Sequence, residues 1–153
     1  MTDASAPDAP ARSSRPALSL LLLATAVYTV LGLAAGLFYR EFTKANGFEE
    51  GMPGQLAVSH THILVLGMMV PLIVLALEKS FRLSDSRLFR WFFWIYNAGV
   101  LLTTAMLVWH GILQVLAVES SKMISGLAGL GHTLIGAGFV LLLLNLWKAI
   151  RRD

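Results

Sequence analysis

Cysteine is absent from this 153-residue chain, and charged residues make up only 14% of it. Without thiolates, disulfide bonds and iron–sulfur clusters are excluded, and a metal ion would have to be held by histidine, methionine, carboxylate or tyrosine. The low charge accompanies 56% hydrophobic residues, a composition typical of a single-domain membrane protein. The net charge of +3 does not indicate nucleic-acid binding, because the basic residues lie at the ends of apolar runs.

Four long apolar runs follow a polar leader, residues 1–15, that is rich in Pro, Ser and Ala. Such a leader buries too little apolar surface to fold, so we expect a disordered cytoplasmic tail. The runs cover about residues 16–39, 57–78, 88–118 and 124–150. Each can cross a hydrocarbon core of about 30 Å, where the backbone must form helices. The sequence therefore predicts an all-α integral membrane protein, with residues 16–153 forming an antiparallel bundle of four transmembrane helices.

Lysine and arginine residues lie mostly near one end of these predicted helices. By the positive-inside rule that end faces the cytoplasm, which predicts a multi-pass protein of the bacterial cytoplasmic (inner) membrane with both termini cytoplasmic. The first apolar run is longer than a signal-peptide core, and no Ala-x-Ala cleavage site follows it. We therefore expect it to be retained as a membrane helix.

All four histidines fall near the outer level of the predicted bundle. His60 and His62 lie at the start of the second helix, His110 is about two turns from the end of the third, and His132 is about two turns into the fourth. His60 and His62 point about 200° apart on an unbroken helix. They therefore cannot bind the same ion, and we expect them to face two different environments.

Glycines lie beside two of these histidines. Gly129 and Gly136 share a face with His132, and together they leave a slot of the kind that a flat macrocycle needs. Gly67 follows His60 on its face of the second helix. Close helix packing explains such glycines equally well, and an isolated histidine also fits a hydrogen-bonded packing role.

Haem b is the cofactor that fits these residues best, with His62 and His132 as axial ligands from two helices. His60 and His110 are further candidate metal ligands. Arg40 lies at the level where haem propionates would need a cation, although an interfacial arginine also reaches towards water without any ligand.

The segments "GLAAGLFYREFTK", "HTHILVLGM", "LEKSFRLS", "FFWIYNAG" and "ISGLAGLGH" resemble a family of small four-helix bacterial membrane proteins described as a domain of unknown function. The resemblance covers nearly all of the chain beyond the leader. It implies the four-helix fold and carries no established activity.

A more distant resemblance is to the catalytic subunit of haem–copper oxidases and nitric oxide reductases. That subunit has three arcs of four helices, and the second helix of one arc carries a His-x-His whose members ligate two haems. His60-Thr61-His62 is similar in position. The resemblance implies a homo-oligomer, such as a trimer, in place of the three arcs. The His-His pair that helps to bind copper in the oxidases is missing here, which puts a copper centre in doubt.

These observations lead to three hypotheses. The first is a membrane haem b protein that exchanges electrons with a redox partner or binds a diatomic gas. The second is a copper- or zinc-binding membrane protein that uses His60, His62 and His110 with nearby methionines. The third is a structural or assembly subunit without a cofactor. No Ser-His-Asp set, phosphate loop or paired carboxylate is present, so any enzymatic activity is expected to be that of a haem-dependent oxidoreductase.

Overall fold

The computed structural model describes residues 15–48 and 54–152, which form helices joined by loops. Four helical spans are long and apolar enough to cross a membrane, which confirms the predicted all-α architecture with four spans. They are α1 (Arg15–Ala45), α2 (Gln55–Phe81), α3 (Arg87–Val115) and α4 (Lys122–Ile150). The predicted leader, residues 1–15, lies outside the described residues except for Arg15, which begins α1.

Three helices end at different residues from those predicted, among them α2, which continues to Phe81 rather than residue 78. Helix α1 continues to Ala45 rather than residue 39, and α3 ends at Val115 rather than residue 118. The α3 terminus has a local cause: Ala117 adopts a left-handed conformation with φ of 54°, and the N–H of Val118 donates to the carbonyl of Leu113 at 2.9 Å. This reversal caps the helix.

Consecutive helices pack against each other in chain order, so α2 and α3 lie in the middle of the bundle. Glycines permit the closest approaches between antiparallel neighbours. A Cβ on Gly99 of α3 would lie 2.7 Å from the backbone nitrogen of Ile135 on α4, and one on Gly111 of α3 would lie 2.6 Å from Cβ of Leu56 on α2. We call the end that carries Arg15 and the end of α4 the termini end, and the opposite end the far end.

Helix α2 changes its winding partway along. About two turns of α-helix, Gln55–His62, lead into a π-helix, Ile63–Met69, and α-helix resumes over Val70–Phe81. Within the π-helix the backbone hydrogen bonds run from residue i to i−5, as from Val70 N–H to the Val65 carbonyl. The change begins directly after the His-Thr-His segment, so the two histidines lie on regular α-helix.

Candidate functional site

His62 and His132 have the same local hydrogen bond. Nδ1 of His62 lies 3.1 Å from the carbonyl oxygen of Val58, and Nδ1 of His132 lies 2.8 Å from that of Ala128, each one turn back on its own helix. Since a carbonyl only accepts, Nδ1 carries the proton and the neutral ring keeps its lone pair on Nε2. Histidines that bind metals through one nitrogen usually donate from the other in this way.

Tyr96 and Phe139 establish which flank of α4 carries His132. Phe139 follows His132 by two helical turns and so lies on the same side of α4. Its ring meets the ring of Tyr96 edge-on at 5.2 Å between centroids, and the hydroxyl of Tyr96 donates to the carbonyl of Leu66 on α2 at 3.0 Å. We infer that His132 lies on the flank of α4 nearer to α2.

His62 lies on the corresponding side of α2. His60, about 200° away around the helix, faces α1, where a Cβ on Gly36 would meet its ring at 3.9 Å. His62 is thus turned away from α1, and it precedes Leu66, the acceptor of the Tyr96 hydroxyl, by one turn. We infer that His62 and His132 face the same side of the bundle, towards the space between α2 and α4 in front of α3. We call this space the α2–α4 cleft.

Contacts between helices also give the depth of the two histidines. Gly131, next to His132, lies against Thr103 of α3, whose backbone nitrogen would be 2.9 Å from a Cβ added to the glycine. Counting along α2 from Leu56, which lies against Gly111, brings His62 within about one helical turn of the same level. His62 is half-buried, whereas His132 is exposed.

Thr103 is a polar residue at this depth that sequence reasoning did not select. It is fully buried, and its hydroxyl has no hydrogen-bond partner in the described part of the chain. The neighbouring Thr104, by contrast, donates to the Val100 carbonyl at 2.8 Å. No sequence signal separates these adjacent threonines, of which Thr103 lies against Gly131 of α4.

The other two histidines have different surroundings. The ring of His60 lies nearly parallel to that of Tyr39 at 6.4 Å, and its Nδ1 is buried without a hydrogen-bond partner among the described residues. His110 is half-buried on α3, two turns from Thr103 towards the far end. Across residues 15–48 and 54–152, no group of three or more histidines and acidic residues is placed to hold a metal ion.

The glycines and the arginine that the sequence suggested as candidate site residues do not lie together. Added Cβ atoms on Gly129 and Gly136 would meet nothing within 4 Å, so neither glycine is needed for packing within the described chain. A Cβ on Gly67 would instead lie 2.9 Å from that of Tyr28, which makes this glycine a contact between α1 and α2. Arg40 is exposed, 3.6 Å from Glu41, on the helix that packs against α2 opposite the cleft.

Four apolar helices of this length are compatible with a multi-pass membrane protein. Residues 18–149 match the family described as "Protein of unknown function (DUF2871)", and the chain belongs to that family. No curated protein and no solved structure matches it. The match agrees with the uncharacterised helical family that the sequence motifs resemble, while the distant likeness to haem–copper oxidases stays a prediction.

Proposed function

We propose that this protein binds haem b in the α2–α4 cleft, with His62 and His132 as the two axial ligands. The observation that carries the proposal is their shared arrangement. Both histidines border one cleft at similar depth, and each donates Nδ1–H to a carbonyl of its own helix. A hydrogen bond of this kind holds the ring in one tautomer and increases the basicity of Nε2, which favours ligation to iron.

Two imidazole ligands would occupy both axial positions of the iron, which favours electron transfer over the binding of a diatomic gas. Bound haem would supply one-electron chemistry. The chain would contribute the two ligands and the apolar helices that hold the macrocycle away from water. Copper or zinc binding by His60, His62 and His110 has less support, because His60 faces α1 whereas His62 faces away from it.

The cleft also supports the proposal of a homo-oligomer, such as a trimer. His132 is exposed in the single chain, and Gly129 and Gly136 leave open space beside it. A neighbouring copy packed on this face would cover the outer side of a macrocycle that the single chain leaves facing lipid. We further propose the inner-membrane location with cytoplasmic termini, for which the clustered basic residues at the termini end are the support.

The direct test is the visible spectrum and iron content of protein expressed with supplied haem precursor and purified in detergent. We expect a Soret band and the α and β bands of low-spin haem. His62→Ala and His132→Ala should each abolish the low-spin spectrum, because each removes one axial ligand. His60→Ala is the matched control, two residues away on the opposite side of α2, and should retain the spectrum.

Further measurements separate ligand loss from misfolding. Circular dichroism and size-exclusion chromatography should match the unsubstituted protein for every variant, and added imidazole should restore a low-spin spectrum to His132→Ala. Gly136→Leu should reduce haem content by filling the slot beside His132, whereas the same change at Gly126, also open, should not. Absence of haem in well-folded protein, or loss of the spectrum in His60→Ala alone, would contradict the assignment.

A further inference from the structure

An apolar groove lies on the opposite side of α2 from the α2–α4 cleft. It has a volume of about 760 Å³ and runs between α1 and α3, with Ile63 of α2 at its base. Alanines make the room: Ala34 and Ala35 line it from α1, and Ala105 lines it from α3. The volume is within the range of about 300–1,000 Å³ typical of small-molecule sites. None of the four histidines lines this groove.

One buried tyrosine lines the groove. Tyr28 lines it and is only 4% exposed. Its ring packs on Gly67. Its hydroxyl makes no hydrogen bond with any described residue. The hydroxyl differs from the unpaired side-chain atoms of His60, Arg82 and Thr103, which are fully shielded from solvent. Among the described residues the hydroxyl is therefore an unused donor, on a side chain that lines the groove. Thr104 also lines the groove, but its proton is already donated to the Val100 carbonyl.

The depth of Tyr28 restricts what could accept this hydrogen bond. Tyr28 is 13 residues from Arg15 and 17 from Ala45, which places it near the middle of α1, about 20 Å from the termini end. The ester carbonyls of phospholipids lie at the interface and do not reach the centre of a hydrocarbon core about 30 Å thick. Among the described residues no carbonyl of a neighbouring helix accepts from the Tyr28 hydroxyl, whereas the Leu66 carbonyl accepts from Tyr96.

We propose that this groove binds a membrane quinone, with a ring carbonyl accepting a hydrogen bond from Tyr28 and the hydrocarbon chain lying along the alanine-lined wall. A quinone is a flat, largely apolar ring that carries carbonyl oxygens and enters the hydrocarbon core. It thus combines an apolar body, which suits the apolar lining of the groove, with an acceptor for the Tyr28 hydroxyl. The site is separate from the proposed haem cleft, and quinone binding does not require haem.

Trp109 provides a reporter of binding, because it lines the groove and is 53% exposed. The test uses the full chain, freed of endogenous quinone in detergent, with the other three tryptophans, Trp91, Trp94 and Trp147, replaced by phenylalanine. Decyl-ubiquinone is titrated while Trp109 fluorescence is measured. We expect saturable quenching. Tyr28→Phe should weaken binding by about 2- to 10-fold, the value of one hydrogen bond.

Controls distinguish a quinone from other occupants. Ala105→Phe fills the groove and should abolish binding, whereas Val140→Phe, on the exposed surface of α4, should not affect it. Decylbenzene, which has the chain and a ring but no carbonyl, is measured by competition. Decylbenzene should bind the unsubstituted protein more weakly than the quinone does. It should bind Tyr28→Phe about as well as the quinone binds that variant.

Three results would overturn the proposal. Equal affinity for decylbenzene and the quinone would make the groove a plain hydrocarbon contact. An unchanged quinone affinity in folded Tyr28→Phe would remove the hydroxyl from the site. Dissociation of an oligomer by Ala105→Phe, with quinone binding unaffected, would make the groove a contact between copies. The haem spectrum is measured independently of quinone binding, so failure of either proposal leaves the other testable.

Discussion

The hydroxyl of Tyr96 on α3 donates to the carbonyl oxygen of Leu66 on α2 at 3.0 Å, which completes the hydrogen bonding of the π-helix. In the i to i−5 pattern of this segment, the Leu66 carbonyl would receive its hydrogen bond from residue 71. That residue is Pro71, which has no N–H. Tyr96 thus supplies, from a neighbouring helix, the donor that the α2 backbone lacks.

Removing this hydroxyl should destabilise the protein. Tyr96→Phe leaves the Leu66 carbonyl unpaired in an apolar environment, and we expect a loss of about 1 kcal/mol in the free energy of unfolding. The measurement is denaturant unfolding in detergent micelles. Tyr39→Phe is the matched control, because the Tyr39 hydroxyl makes no hydrogen bond with a described residue. Repeating Tyr96→Phe in a Pro71→Ala background, where the N–H is restored, should cost less, and an equal cost in both backgrounds would contradict this account.

Glu78 is expected to hold the loop between α2 and α3. The residue is 0% exposed, and its two carboxyl oxygens accept from the backbone N–H of Ser84 at 2.8 Å and from its hydroxyl at 2.6 Å. Glu78→Ala removes both hydrogen bonds and should lower the free energy of unfolding by about 2 kcal/mol. Glu41→Ala, at an exposed carboxylate on α1, should leave the unfolding midpoint unchanged. Similar midpoints for the two variants would exclude this role for Glu78.

Two glycines of α4 should respond oppositely to alanine. A Cβ on Gly131 would crowd the backbone nitrogen of Thr103 at 2.9 Å, so Gly131→Ala should destabilise the protein by about 1–3 kcal/mol. A Cβ on Gly129 would meet nothing within 4 Å, so Gly129→Ala should be neutral or stabilising by up to about 1 kcal/mol through helix propensity. Thermal unfolding followed by circular dichroism compares the two. The opposite order would mean that the α3–α4 contact is not as close as described.

Ala117 offers a route to a more stable protein. Its φ of 54° is unfavourable for alanine and readily adopted by glycine, while the surrounding hydrogen bonds involve only backbone atoms. We expect Ala117→Gly to raise the free energy of unfolding by about 0.5–1 kcal/mol. Ala76→Gly, within α2, serves as the control and should lower it by a similar amount. A loss of stability in Ala117→Gly would count against the left-handed conformation at this position.

The number and approximate bounds of the spans could be predicted because a membrane requires long, continuous apolar helices. Helix ends were less accurate, because they depend on local backbone reversals. The reversal at Ala117, for example, occurs without the glycine that usually marks such a helix end. In the sequence Glu78 stands at the end of the second apolar run, and its complete burial is evident only from the tertiary structure, where it contacts Ser84.

His60 and His62 show most clearly which features the sequence determines and which depend on the tertiary structure. Helical periodicity alone determined that the two rings point apart, because about 100° of rotation per residue is a local property of the chain. Which ring faces α1 and which borders the α2–α4 cleft was decided by tertiary packing, through Gly36 on one side and the Tyr96–Leu66 hydrogen bond on the other. The reason is that the angle of a side chain around its own helix follows from the regular rotation between successive residues. Its environment, by contrast, depends on helices that are distant in the sequence.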